Sequence, residues 1–254
     1  MEHVDMNMLM FLLAAGFIAS FIDSVVGGGG LISVPALLFT GLPSHVVLGT
    51  NKLASTMSSL TSTISFMRSG KVNVRLVKYL FPLSLIGSAI GAYTVTKIPP
   101  EFLKPLVITL LTLVAVYTLF KKDWGSQSTY KGMTRKIAYL SATIALIIGF
   151  YDGFFGPGTG SFLLFSFLML GFDFVGAAGN SKVLNFGSNI AGMVTFMALG
   201  SVNYAYGIPM GLAMIAGAIF GSRLAIRKGS TYVRPLFIGV TALLIGKQLW
   251  DVLH

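Results

Sequence analysis

An aspartate followed by glycines, set inside apolar sequence long enough to cross a bilayer, occurs twice in this chain, and the two occurrences share one register. FIDSVVGG at 21–28 recurs as FYDGFFGP at 150–157, a displacement of 129. After one extra residue in the second glycine cluster the displacement becomes 130 and holds. NKL at 51–53 faces SKV at 181–183, MRSGKVN at 67–73 faces MALGSVN at 197–203, GSAIG at 87–91 faces GAIFG at 217–221, and FLKP at 102–105 faces YVRP at 232–235. Such self-similarity marks a structural unit written twice. Residues 1–122 read as the N-terminal repeat, 123–135 (DWGSQSTYKGMTR) as a polar connector, and 136–254 as the C-terminal repeat.

The surroundings of these motifs are lipid-like. Apolar runs cover about 6–25, 44–67, 76–96, 100–120, 136–155, 174–200, 205–222 and 231–250, each sufficient for a hydrocarbon core of about 30 Å. Leu31–Thr40 and Ser161–Phe172, directly after the glycines, are too short to cross comfortably. Only 10% of residues are charged, against about 25% in ordinary soluble domains. The expectation is an all-α polytopic protein of the cell inner (plasma) membrane, with eight long helices and two short half helices after glycine-rich breaks. Glu2 and Asp5 stand where a signal peptide carries basic residues, and no small-residue cleavage site precedes the glycines, so the N-terminus is expected to be retained. With no cysteine and only His3, His45 and His254, neither thiol chemistry nor a spaced metal motif is available, and no cofactor or metal is expected.

Charge orients the repeats. Thirteen of the 18 basic residues lie in three connections: Arg68, Lys71, Arg75 and Lys78; Lys121, Lys122, Lys131, Arg135 and Lys136; and Arg223, Arg227, Lys228 and Arg234. The positive-inside rule makes these loops cytoplasmic. They are not interleaved with stacking aromatics, so nucleic acid is not an expected partner. Loop 68–78 carries four basic residues whereas its repeat partner near 198–205 carries none, so equivalent loops lie on opposite sides. Each half then crosses an odd number of times, and the long and short apolar runs flanking each glycine break act as a pair. The pair either crosses twice or forms one re-entrant hairpin. The reading is two inverted-topology repeats, both termini outside and connector 123–135 cytoplasmic.

Irregular backbone at membrane depth is tolerated where it is buried in protein or lines a cavity. The breaks at Gly27–Gly30 and at Gly156-Pro157-Gly158-Thr159-Gly160 free backbone N–H groups at the N-termini of the short helices, which attract anions, and Gly28, Gly29, Gly30, Gly158, Thr159 and Gly160 read as substrate-binding. The alternative is a break serving only tight packing or a surface loop. Lys52 and Lys182 occupy equivalent positions eight or nine residues into their helices, about 12–13 Å along the axis, and thus near mid-membrane. A lysine there faces a pathway or a partner. Two of them suggest a shared anion site, with Asn51, Ser55 and Ser58 in one half and Asn180, Ser181, Asn185 and Ser188 in the other adding hydrogen-bonding groups. The alternative is that each lysine only neutralises Asp23 or Asp152, two residues read as coupling or structural groups. Gly87/Gly91 and Gly217/Gly221 read as helix-packing faces, with gating or a homodimer contact as the alternative. His45 reads as a helix-entry residue, Trp124 and Trp250 as interfacial anchors, and the methionines and phenylalanines as lipid-facing or core filler.

The paired stretches FIDSVVGGGGLISVPALLFTGLP with GTNKLAS, and FYDGFFGPGTGSFLLFSFLMLGFD with GNSKVLNFGSN, make the chain similar to the sulfite exporter TauE/SafE family over nearly its whole length. The resemblance implies export of small anions, particularly sulfite and organosulfonates such as sulfoacetate. A secondary transporter is the leading expectation, with a small anion and the lipid bilayer as partners. No G-x-x-x-x-G-K-[ST] loop is present to bind ATP. One negative charge leaving a negative interior gains about 2.3 kcal/mol per 100 mV. A passive anion channel is the alternative. An intramembrane enzyme using Asp23 and Asp152 is disfavoured, since no Ser–His–Asp order accompanies them.

Overall fold

The computed structural model describes residues 6–95, 97, 125, 127–233, 235, 236 and 239. The run at 100–120, most of the run at 231–250, both tryptophans and both termini lie outside the described residues. Six long helices and two short ones make up the described body: α1 (Met6–Val26), α2 (Gly30–Leu38), α3 (Ser44–Arg68), α4 (Val74–Val95), α5 (Arg135–Phe154), α6 (Thr159–Met169), α7 (Phe174–Ala198) and α8 (Tyr204–Lys228).

The glycine breaks turn the chain back. Gly27 and Gly28 end α1 at φ +81° and +86°, and Gly156 and Gly158 separate α5 from α6 at +96° and +89°, a region closed to most L-residues. Beyond the first break, Gly29 lies so close to α1 that a Cβ would stand 2.6 Å from the Ala19 carbonyl oxygen. At the other end of α2, the Phe39 ring meets Phe11 edge-on at 6.0 Å. α2 therefore runs antiparallel along α1. In the second half, Phe162 packs on Tyr151 at 5.5 Å, while Ser166 and Phe167 share a small cavity with Ser141 and Ile144. α6 likewise returns along α5. At 9 and 11 residues, α2 and α6 reach about 14 and 17 Å, roughly half a hydrocarbon core. In each half the long and the short helix thus form an antiparallel hairpin, and the two hairpin tips touch: Ser161 Oγ donates to the Val26 carbonyl at 3.3 Å.

Cross-contacts give the helix directions. Ser20 meets Ser58 at 2.5 Å and Ser24 meets Ser62 at 2.7 Å, a constant offset that makes α1 and α3 parallel. Ser84 and Ser88 donate to the carbonyls of Leu184 and Ser188 at 2.9 and 2.5 Å, so α4 and α7 are parallel. Between α3 and α7 the order reverses, for Thr63 reaches Lys182 whereas Lys52 reaches Asn189, and these two helices are antiparallel. Gly217 and Gly221 press against Phe17 and Phe21 of α1, and Gly87 and Gly91 against Leu146, Phe150 and Phe154 of α5. The two small-residue stripes are thus covered within the chain and are not free for a homodimer contact. Exchanging α1 with α5, α2 with α6, α3 with α7 and α4 with α8 maps the main packing pairs onto one another.

α1, α4, α5 and α8 are long and apolar enough to cross a membrane. α3 and α7 are as long, 25 residues each, yet richer in Ser, Thr, Asn and Lys. They lie in the middle of the bundle, where protein rather than lipid surrounds them. Two apolar clusters flank this polar centre. One gathers Leu12, Leu37, Val47, Val95 and Phe196, the other Val25, Phe66, Leu76, Leu164 and Phe174. Lipid supplies little hydrophobic drive between helices, so glycine contacts and serine-to-carbonyl bonds, about 0.6–2 kcal/mol each, hold the long helices together.

Candidate functional site

Between the hairpin tips and the middle of α3 and α7 lies a cavity of about 30 Å³, room for a small group. Its wall includes Gly28, Gly29 and Gly30 of the first break, Gly156, Gly158, Thr159 and Gly160 of the second, Asn51, Lys52, Ser55 and Ser58 of α3, and Asn185 and Asn189 of α7, with Asp23, Asp152 and Met214. Asp23, Gly30, Ser55 and Gly156 alone in this wall keep intermediate exposure, marking its more open side.

Lys52 and Lys182 each stand eight residues beyond their helix's first residue, Ser44 and Phe174, about 12 Å along the axis. Asp173 occupies the N-cap position of α7, but its side chain makes no capping bond and accepts instead from Ser230 at 3.3 Å. The lysines have different surroundings. Lys52, 3% exposed, pairs with Asp152 Oδ1 at 2.8 Å and donates to Asn189 Oδ1 at 3.2 Å. An ammonium has three protons, so one remains for the cavity. Lys182 pairs with Asp23 Oδ2 at 2.6 Å and stands outside the cavity wall, behind that carboxylate. Each lysine thus pairs with the aspartate of the other half, and the four formal charges sum to zero. The expected pair of lysines facing one anion from opposite sides is replaced by one lysine in the wall and one acting through Asp23.

Asp23 is engaged at both oxygens, since the Gly29 N–H donates to Oδ1 at 3.1 Å and locks the start of α2 onto α1. Asp152 differs: its Oδ2 is buried without a hydrogen-bond partner. Asn51 accepts from Ser33 at 2.6 Å through Oδ1, which turns its amide protons elsewhere. Ser20 spends its proton on the Met214 carbonyl at 2.6 Å, so Ser58 is the donor in the Ser20–Ser58 bond and presents only lone pairs to the cavity. In the first turns of α2 and α6 the Leu31, Ile32 and Ser33 N–H groups donate to the Gly28 and Gly29 carbonyls and those of Thr159 and Phe162 to Gly156 and Gly158, which leaves the Gly30 and Gly160 N–H groups for the cavity.

Three residues expected at the site are elsewhere. Asn180 accepts the Asn73 N–H at 2.8 Å, Ser181 donates to the Ala178 carbonyl at 2.8 Å, and Lys182 is behind Asp23. Ser188 is likewise turned to its own helix, donating to Asn185. His45 is exposed at the start of α3. Asn189 and Met214 were not anticipated in the wall. Asn189 had a signal, one helical turn beyond Asn185 on the same face. Met214 had none, being one methionine among 12 in an apolar helix.

The family model for the sulfite exporter TauE/SafE matches residues 12–247. The chain is 39% identical to a probable membrane transporter protein, ORF9, of Sinorhizobium over all of its own length and 97% of the relative's. It is 35% identical to a probable membrane transporter protein of Haemophilus influenzae, covering 98% of this chain and 97% of the relative. It is also 35% identical to the probable membrane transporter protein YfcA of Escherichia coli K12, over 96% and 90% of the two chains. No solved structure matches it.

Proposed function

Since the chain belongs to the sulfite exporter TauE/SafE family and is a multi-pass membrane transporter, we propose that it is a secondary exporter of small anions such as sulfite or organosulfonates. The observation that carries this reading is the composition of the central cavity. Lys52 has a proton to spare, Asn51 has free amide donors, and the first turns of α2 and α6 bring their partial positive charge to the same space. The substrate site comprises these groups with Gly28, Gly29, Gly158, Thr159, Ser55, Asn185 and Asn189. Lys182 acts at one remove, by holding Asp23. The apolar clusters beyond each end of the cavity favour alternating access over an open channel.

Reconstituted protein loaded with sulfoacetate, methanesulfonate or sulfite is expected to show saturable counterflow of labelled substrate. Flux no greater than in protein-free liposomes for every anion would reject the anion reading. Flux without counterflow would favour a pore.

The two repeats are proposed to be inverted across the membrane. Supporting this, α3 and α7 are antiparallel, and Arg68, Lys71, Arg75, Lys78, Lys131, Arg135, Lys136, Arg227 and Lys228 gather at one end of the bundle. By the positive-inside rule that end is cytoplasmic. The natural chain has no cysteine, so single cysteines report cleanly. Lys131→Cys is expected to react with an impermeant maleimide only after the cytoplasmic face is opened. Leu199→Cys, exposed in the loop containing Val202, is expected to react in intact cells. Labelling of both from one side would refute the inversion.

A further inference from the structure

We propose that Asp152 is a proton-binding site, and that one proton crosses with each monovalent anion. This rests on the central cavity being the anion site. Three observations lead to it. Asp152 is 2% exposed, its Oδ1 is held by Lys52 at 2.8 Å, and its Oδ2 has no partner at all. With no donor on it, Oδ2 has both lone pairs open to accept a proton. Asp23 is built the opposite way, with the Gly29 N–H on Oδ1 and Lys182 on Oδ2, so neither oxygen is left open. The pseudo-equivalent aspartates therefore have different capacities for a proton.

Charge balance supplies the second step. With all four groups ionised the centre is neutral, and a monovalent anion entering it would leave one uncompensated negative charge in a dehydrated space. A proton on Asp152 Oδ2 turns the carboxylate into a carboxylic acid, leaves Lys52 as an unneutralised cation, and gives the centre one positive charge to meet the anion. Release on the other side reverses both events, so proton and anion are conserved and no other reactant is consumed. The cargo and proton together carry no net charge. Flux then follows the product of the anion and proton concentrations, and membrane voltage drops out.

Among the described residues, no other ionisable side chain competes for this role near Asp152. α6 has none, and α7 has only Lys182. Arg75, Lys78, Tyr79 and Tyr93 of α4 are all exposed. His45 and Arg68 of α3 are exposed at its ends, and Lys52 is the partner already named. α1 contributes Asp23. On α5 itself, the Tyr151 hydroxyl donates to the Pro157 carbonyl at 2.5 Å, and Arg135, Lys136 and Tyr139 lie in the first turns, remote from Asp152 near its far end.

Methanesulfonate provides the test, because it stays ionised near neutral pH and carries no proton of its own. Wild-type proteoliposomes with luminal pyranine should acidify as methanesulfonate enters, with about one proton per anion and a rate unaffected by a valinomycin-set voltage. Binding measured on purified protein should weaken about tenfold per pH unit once Asp152 deprotonates. Whatever methanesulfonate Asp152→Asn takes up should enter without a proton and respond to voltage. Should that variant not reconstitute, Asp152→Glu should shift the pH at which binding weakens, and an unchanged profile would overturn the assignment. Wild-type uptake that is voltage-driven with no acidification would overturn proton coupling while leaving anion transport intact. Proton movement retained in Asp152→Asn would place the proton elsewhere. No uptake of any anion tested would instead remove the transport reading on which this rests.

Discussion

Lys52→Met is expected to destabilise the protein by about 3–5 kcal/mol and to abolish measurable anion binding, while the double variant Lys52→Met/Asp152→Asn should recover stability but not binding. The large cost arises because Asp152 has no partner besides Lys52, and a buried carboxylate stripped of its counter-ion is left uncompensated. Replacing both charges by neutral groups removes that cost, since buried pairs exchanged for neutral side chains are often near neutral in stability. Binding stays lost because no lysine remains in the cavity wall. The corresponding pair at the other half should behave differently. Lys182→Met alone is expected to destabilise for the same reason, but Lys182→Met/Asp23→Asn should recover both stability and transport. There the asparagine oxygen can still accept the Gly29 N–H, and Lys52 is untouched. Thermal unfolding in detergent and methanesulfonate affinity, measured on all four variants, check this. Full transport by Lys52→Met/Asp152→Asn would reduce Lys52 to a counter-ion.

The second large effect is expected at the meeting of the hairpin tips. Gly27→Ala should lose about 2–5 kcal/mol and all transport. A left-handed φ of +81° costs an L-residue roughly 1–2 kcal/mol, and the added Cβ would fall within the backbone of Gly160 and Ser161, an overpacking worth about 1–3 kcal/mol more. Backbone on both sides leaves nothing that can rotate away. Gly200→Ala is the control, at φ +66° but with open space around it, and should show only the conformational share. Equal melting temperatures for the two variants would mean that the tips are not locked together.

The long helices follow from local properties of the chain. Helix starts at Ser44 and Phe174, the breaks at Gly27–Gly29 and Gly156–Gly158, and the depth of Lys52 and Lys182 depend on rise per residue, on apolar run length and on glycine's access to positive φ. Each is a property of a short segment, legible without knowing the neighbours. The doubling of these signals at one register also made the break and lysine motifs stand out from ordinary apolar sequence. Even the VN pairs in the repeat, Asn73 and Asn203, have a local role. Each caps the helix that follows it, donated to by Leu76 and Tyr206 at 3.1 Å.

What the chain could not state in one dimension is which face of a helix meets which partner. A spacing of three or four residues places Asn180, Ser181, Lys182 and Asn185 near one another, yet the rotation of α7 against α3 decides that Asn185 enters the cavity while Asn180 holds the Asn73 loop. Net loop charge fixed only whether crossings are odd or even; that α2 folds back along α1, with Phe39 beside Phe11, is decided by packing. The ion pairs are the clearest case. Two lysines and two aspartates allow pairing within a half or between halves, and composition is the same either way. Only the antiparallel approach of α3 and α7 brings Lys52 to Asp152 and Lys182 to Asp23. Helix formation is decided within a few residues, whereas partner choice depends on the relative placement of segments a hundred residues or more apart.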